Sequence, residues 1–399
     1  MEFNESVNVL LDKVNEIGIE EVDIDEAFGR ILASDLIAKE DVPNFNRSPF
    51  DGYCFNYEDT LEISENNPAI LDVIEVVPCG KVATKIIGKM QAIKVLTGAK
   101  IPEGGNAVVK FEDVIEENGE IKVFEKFENN QNLILSGEDV KEGTVLAKAG
   151  DVVDVGVVGL AASLGIKSLR VYKNVNIGFI STGSEVVELD EKIEDGKIFN
   201  SNRYIFDAIF KKNNLKYKYF GVVDDDEENI AKVFKKAISV CDIVLSTGGV
   251  SVGDYDLVAN ALSKIGLNIF VDRIEMKPGM ACCFAEKDKK IVLALSGNPM
   301  SSVTTFYAVC LPAIKKMMGY NIYENEYFKV KLKNSFNKKI HNIRFLRGKM
   351  SIEDGEAVVE LNLDQGNIVI KSLIDCNAMV KVENVKEAKA GMVFDCMLI

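Results

Sequence analysis

Histidine is almost missing from this chain: His341 is the only one among 399 residues. A histidine-rich metal centre is thereby excluded. Any divalent ion would rest on carboxylates, which favours magnesium-like ions. The eight cysteines (54, 79, 241, 282, 283, 310, 376 and 396) are scattered and form no CxxC pair. That scatter points to mostly buried free thiols in a reducing cytoplasm. Long apolar runs are lacking too. The longest uncharged one spans residues 155–166, short of the ~20 residues a membrane span needs. It reads as a buried helix with small residues for close packing. The N-terminus, MEFNESVNVLLDKVNEI, is acidic and lacks the basic start and long apolar core of a signal peptide. Basic residues are outnumbered, 47 to 62, for a net charge of −15. That balance argues against broad binding to nucleic acid or anionic membranes.

What is present suggests several domains. Residues 1–40 read as helices, and DVPNFNRSPFDG (41–52) as a loop. To about residue 135 short alternating runs (70–77, 93–96, 107–111, 121–124) predict a β-rich region, punctuated by Gly, Pro and Asn. Residues 173–322 alternate strand and helix, with Pro312 as a kink or break in a helical 300–318 segment. A small β-domain follows, with strands predicted at 328–332, 356–361, 378–382 and 391–394.

Three apolar runs in the α/β region end alike. Residues 176–180 lead into Ser181-Thr182-Gly183, 242–245 into Ser246-Thr247-Gly248-Gly249, and 291–295 into Ser296-Gly297-Asn298-Pro299. Each is followed by a helical pattern, as in a parallel α/β sheet whose strand ends carry a site. Glycine admits a ligand to the backbone, and free amides at a helix start favour anions. An anionic, phosphate-bearing ligand fits all three ends. It would need a locally basic pocket inside an acidic shell.

The local motifs each admit two readings. SPFDGY (48–53) is a capped turn or a loop-tip carboxylate at Asp51, and Thr97-Gly98-Ala99 a hairpin turn or a hydroxyl donor. Glu185 in STGSE is a helix-start carboxylate, a metal ligand or a substrate-positioning group. Helix capping explains one asparagine of Asn200-Ser201-Asn202 and hardly needs two. Asp224–Glu228 is by default a solvated acidic helix start. STGGVSVGDYD (246–256) is the most specific, because its glycines allow phosphate approach and Asp254 and Asp256 could hold Mg2+ against that phosphate. RIEMKPGM sets Arg273 and Lys277 beside the rigid turn Pro278-Gly279, either an exposed basic turn or an anion clamp.

In this order SPFDGY, TGAKIPEGGNAVV, GEDV, STGSE, NSN, STGGVSVGDYD, KPG, SGNP and FLRG run the length of the chain. Together they resemble the molybdopterin molybdenumtransferases, the MoeA family, which includes the C-terminal part of gephyrin. The resemblance implies a multidomain α/β fold. A helical/β N-terminal domain (1–40 and 138–172) is interrupted by an inserted β-rich domain (41–137). A three-layer α/β molybdopterin-binding domain (173–322) and a C-terminal β-barrel-like domain (323–399) follow. It implies an elongated homodimer whose active site is completed by the partner's inserted domain, with a molybdopterin adenylyltransferase as a further partner. The implied reaction consumes adenylated molybdopterin, releases AMP and places molybdate, or tungstate, on the dithiolene with Mg2+ assisting.

Carried over by position, Asp51, Thr97, Asp139, Glu185, Asp224 and Asp256 match the family's functional acids and hydroxyl. Glu185, Asp254 and Asp256 would hold the metal. Lys277 and Arg347 match bases of its anion site, and Pro299 its turn. Ser181, Thr182, Gly183, Asn202, Thr247, Gly248, Gly249, Ser251, Gly253, Arg273, Pro278, Gly279, Gly297 and Asn298 complete the implied binding surface. Four places depart from the family pattern. Met280 replaces the second Lys of KPGK, and Ser296 the first Pro of LPGNP. Ile134-Leu135-Ser136 stands where arginines usually precede GED, and Asn367 where a late serine is usual. An adenylyltransferase would need only the α/β domain, and a gephyrin-like scaffold would not need the acids at 51, 185 and 256.

Overall fold

Strand residues in the second half of the chain alternate between two cores. Ile177 and Phe179 face one apolar cluster with Ile243, Leu245, Leu293, Phe206, Phe210 and Phe306, while Ile180, Val244 and Val292 face another with Phe234, Val258 and Leu262. A two-residue period with both faces apolar is the mark of a sheet covered by helices on both sides. The computed structural model, which describes residues 1–64, 67–250 and 257–399, shows this three-layer domain. Its sheet runs Tyr217–Val223, Ile177–Thr182, Ile243–Thr247, Lys290–Leu295, Ala281–Lys287, Asn268–Arg273 in spatial order.

The first four of these strands are parallel. Ala281–Lys287 runs antiparallel to both its neighbours, Lys290–Leu295 and Asn268–Arg273, so the expected parallel sheet is a mixed one. The reversal is local chemistry. Asp288 and Lys289 both hold positive φ (49° and 64°), which closes a tight hairpin between Ala281–Lys287 and Lys290–Leu295 where a crossover helix would otherwise be needed.

The Pro312 break also takes a specific form. The chain is helical over Pro299–Thr305, π-helical over Phe306–Cys310 and α-helical again over Leu311–Met317. Proline lacks the N–H that would meet a carbonyl one turn back. The Asn325 amide donates instead to the carbonyls of Tyr307 and Ala308, both at 3.1 Å.

Around this domain the β-rich regions fall largely where expected. The inserted sheet has the order Ala107–Lys110, Gly52–Phe55, Gln91–Val95, Ala69–Val77, Glu120–Val123, Val114–Glu117. Near the C-terminus, Ile343–Glu353, Glu356–Leu361, Phe328–Leu332, Val393–Leu398 and Ala378–Val382 close into a five-stranded barrel. A short strand, Met276–Lys277, pairs in parallel with Ile343 and Arg344 and joins barrel to α/β domain.

Two further expectations fail. Residues 1–40 are helical only at Phe3–Lys13 and Ile24–Ala27, and Ile19–Asp23 is a strand paired antiparallel with Ser168–Tyr172. Tertiary pairing there outweighs the local preference of a Glu-rich segment. The 155–166 run is helical over Val155–Ser163, yet within that helix only Val157 and Ala161 are buried and Val155 is 79% exposed. It lies on the rim of a small domain that covers one face of it.

If the Asn325 amide replaces the hydrogen bonds lost at Pro312, Asn325→Leu strands two carbonyls. We expect a loss of about 1–3 kcal/mol in urea unfolding; an unchanged midpoint would show that solvent does the same work.

Candidate active site

The three strand ends lie side by side because their strands are parallel and in register. Ile177 pairs with Ile243 and Ile243 with Ile291, so Ser181 stands opposite Thr247 and Thr247 opposite Leu295. Gly248 locks them together. Its N–H donates to the Leu295 carbonyl at 3.0 Å. Its φ is +97°, and a side chain there would strike the Thr182 carbonyl at 2.2 Å. Thr182 Oγ1 donates to the Thr247 carbonyl (3.3 Å), and Gly297 approaches Gly248 so closely that a Cβ on it would lie 3.4 Å from the Gly248 Cα. The result is a floor of backbone at the sheet's C-terminal edge, where α/β folds bind ligands.

The two asparagines divide their work. Asn200 caps the Ser201–Lys212 helix by accepting from the Arg203 N–H (3.1 Å). Asn202 reaches across to donate to the Gly297 carbonyl (2.8 Å), and its Oδ1 is buried without a partner among the described residues. Ser181 faces away from the floor: its hydroxyl accepts from Asn200 Nδ2 (3.0 Å) and lies 3.3 Å from Tyr219 Oη. Tyr219 donates to Glu188 (2.6 Å), which pairs with Arg203 at 2.5 Å. Burial pushes the Glu188 carboxyl up, but the bonds from Tyr219, Arg203 and Asn200 leave it below the usual range. This network fixes the wall beside the floor; the sequence motifs did not indicate it.

Glu185 is not at a helix start. It occupies an exposed turn before the two-stranded ribbon Val186–Val187 and Ile198–Phe199, and its carboxylate folds back over Gly183, within 2.6 Å of where a Cβ would stand. The turn is tied to the acidic run. Asp225 accepts from the Ser184 N–H (3.2 Å) and its own N–H donates to Ser184 Oγ (2.9 Å). Asp226 caps the Glu227–Val240 helix, and Glu227 and Glu228 pair with Lys264. Asp224 is left exposed, with no side-chain partner among the described residues. Ser251, Gly253, Asp254 and Asp256 lie outside the described residues. Within them no three His, Cys, Asp or Glu side chains are grouped to hold a metal ion.

A cleft of about 400 Å3 opens beside the floor, between the α/β domain and the barrel. Ser296 and Asn298 flank Gly297 and line it, as do Lys277, Pro278 and Gly279. Gly279 packs so tightly that a side chain would meet Thr305 Oγ1 at 2.3 Å. Three cations, Lys277, Lys338 and Arg344, line the cleft, and no carboxylate does among the described residues. Here is the basic pocket that an acidic chain with an anionic ligand requires. Arg347 stands behind it. The side chain is fully buried and donates from Nε to Ser372 Oγ (2.8 Å) and from Nη2 to the Gly366 carbonyl (3.0 Å), with Nη1 unpartnered among the described residues. Arg347 thus shapes the Gln365–Asn367 rim. Arg344 was missed because the strand carrying it, Ile343–Glu353, is rich in charge, and Lys338 because it lies in an irregular stretch before that strand. Arg273 is exposed, and its carbonyl accepts from the Met1 amino group (3.1 Å).

Asp51 and Thr97 meet at the edge of the inserted domain. Thr97 donates to Asp51 Oδ1 from its amide (2.7 Å) and its hydroxyl (2.8 Å). These bonds, the backbone one first, hold the exposed Asp51 carboxyl below the usual carboxylate range. The loop cannot shift easily, since a side chain on Gly52 would strike the Val109 carbonyl at 2.1 Å. Asp139 is exposed, beside the cis Val42-Pro43 bond, its N–H donating to the Val42 carbonyl (3.1 Å). No hydrogen bond or ion pair among the described residues links Asp51, Thr97 or Asp139 to the strand-end floor.

Known proteins resemble this chain along its length. Residues 1–165 match the family model of the MoeA N-terminal region (domains I and II), and 178–316 that of a probable molybdopterin-binding domain. A molybdopterin molybdenumtransferase of Staphylococcus epidermidis is 34% identical over 379 residues, covering 94% of this chain and 90% of that protein. The chain belongs to the molybdopterin molybdenumtransferase (MoeA) family. A Staphylococcus aureus member is 33% identical over the same length. Two solved MoeA structures from Pyrococcus horikoshii superpose with TM-scores of 0.86 and 0.84, at 29% and 32% identity. The first covers 100% of this chain and 98% of its own, the second 100% of both. No described helix is long and apolar enough to cross a membrane.

The Thr97 bonds stabilise the ionised Asp51, so whatever they contribute is present above the unfolded-state pKa and lost as pH falls through the folded one. Thr97→Val removes the hydroxyl bond and should raise the Asp51 pKa toward the ordinary value in a carboxyl 13C NMR titration. An unmoved pKa would contradict the assignment.

Proposed function

We propose that this chain inserts molybdate or tungstate into adenylated molybdopterin and releases AMP. The observation that carries the reading is the glycine-paved edge of three in-register strands adjoining a cationic cleft. The floor offers backbone to the phosphates and pterin, where Thr182, Thr247, Asn202 and the glycines at 183, 248, 249 and 297 line the approach. The cleft offers Lys277 to the oxyanion. Cleaving a phosphoanhydride asks for fixed donors and charge around the leaving phosphate, and binding a metal oxyanion asks for cations.

A magnesium ion would neutralise phosphate charge as AMP leaves. Glu185 fits such a role, being an exposed carboxylate beside the floor with no ion-pair partner among the described residues; Asp254 and Asp256 would supply the rest. Asp51, held ionised by Thr97, lies in another domain. We infer a cytoplasmic homodimer in which the inserted domain of one subunit brings Asp51, Thr97 and Asp139 to the floor of the other. Nothing in the relatives or the site favours an adenylyltransferase or a bare scaffold.

The deciding assay is AMP release from adenylated molybdopterin and Mg2+ with molybdate, tungstate or neither. Release should require an oxyanion, and equal release without one would overturn the reading. Asp51→Ala and Asp256→Ala should keep the wild-type melting temperature and lose about 10²-fold in rate. Mixing Asp51→Ala with Glu185→Ala protein should restore part of the activity if sites are shared between subunits.

A further inference from the structure

Met280 stands where the resemblance implies a second lysine, and the structure places Arg344 in the same cleft. Arg344 sits on the barrel strand Ile343–Glu353, in register with Lys277 across the parallel Met276–Lys277 pairing. Two cations are therefore neighbours across one ladder, on elements from two domains. Like charges placed together without a carboxylate between them repel, and the arrangement is favourable only when an anion joins them.

The state of Arg344 agrees. Its guanidinium is half-buried and makes no ion pair or side-chain hydrogen bond among the described residues. Its recorded side-chain contact is with the Phe336 ring, 4.9 Å from the centroid. An aromatic face steadies a guanidinium from one side and leaves its in-plane N–H groups open. Burial lowers its pKa from the ordinary arginine value, so the charge is partly stripped of water and unrepaid by any protein group. Around it Ser296, Asn298 and Asn367 supply neutral polar groups. A tetrahedral oxyanion of charge −2 matches two cations and several such groups, and the fork of an arginine matches two of its oxygens.

We propose that Arg344 is a specificity-determining ligand of the oxyanion, binding it jointly with Lys277 and replacing the lysine missing at Met280. This rests on the reading of the chain as an oxyanion-inserting enzyme, and places the oxyanion at the joint between barrel and α/β domain.

The test is calorimetric titration of the full-length protein with molybdate and with tungstate, without pterin. Arg344→Gln should weaken binding at least about tenfold with an unchanged melting temperature. Met280→Lys in that background should recover at least about a third of the lost affinity on a logarithmic scale. Arg344→Gln binding like wild type, a loss that Met280→Lys does not rescue, or a wild type that binds neither anion would each overturn the proposal. The two readings fail separately. Oxyanion-dependent AMP release that Arg344→Gln leaves untouched sinks the Arg344 assignment alone. Oxyanion-independent release by wild type sinks the transferase reading, while the titration still judges the cleft.

Discussion

Register between three parallel strands is the constraint on which the site depends. Had the Ile243–Thr247 strand slipped by one residue against its neighbours, every inward side chain would have turned to the opposite helix layer. The double-sided core forbids this, since Phe179, Leu245 and Leu293 belong to one cluster and Ile180, Val244 and Val292 to the other. Packing far from the edge thus decides where the edge lies. Gly248 completes the constraint: its N–H closes on Leu295 while its missing side chain leaves room for the Thr182 carbonyl. Hydrophobic burial sets the level of the three ends, and one left-handed glycine lets them touch.

The charge distribution follows a similar division. A chain of net charge −15 repels anions at long range, so a site for phosphates and an oxyanion needs cations close at hand with carboxylates kept away. The acidic residues nearest the floor are largely engaged. Asp225 holds Ser184, Asp226 caps a helix, Glu188 pairs with Arg203, and Glu227 and Glu228 pair with Lys264. Among the described residues the cleft cations make no ion pair or side-chain hydrogen bond. The same contrast separates Arg347, spent on Ser372 and Gly366, from Arg344, which has only an aromatic ring.

Much of this was legible in the sequence. Strands buried on both faces are apolar throughout, so the runs ending at Thr182, Thr247 and Leu295 announced themselves. Asn200 and Asn202 were separable because one cap needs one asparagine. The failures share a cause. The strand Ile343–Glu353 reads IRFLRGKMSIE, whose charges hide its alternation, and with it went the register that brings Arg344 beside Lys277. Ile19–Asp23 is a strand only because Ser168–Tyr172 lies alongside. Glu185 looked like a helix start because nothing in STGSE signals the ribbon Val186–Val187 with Ile198–Phe199. Local pattern reveals what a segment buries; it does not reveal which distant segment it meets.

The central claim is that the oxyanion sits in the cleft at the domain joint, next to the strand-end floor and apart from it. Anomalous diffraction from crystals of the full chain grown with tungstate tests it directly, because tungsten is unmistakable at its absorption edge. A tungsten peak within hydrogen-bonding reach of Lys277 and Arg344 is the predicted result. A peak on the Thr182–Gly248 floor, with the cleft empty, would contradict the account.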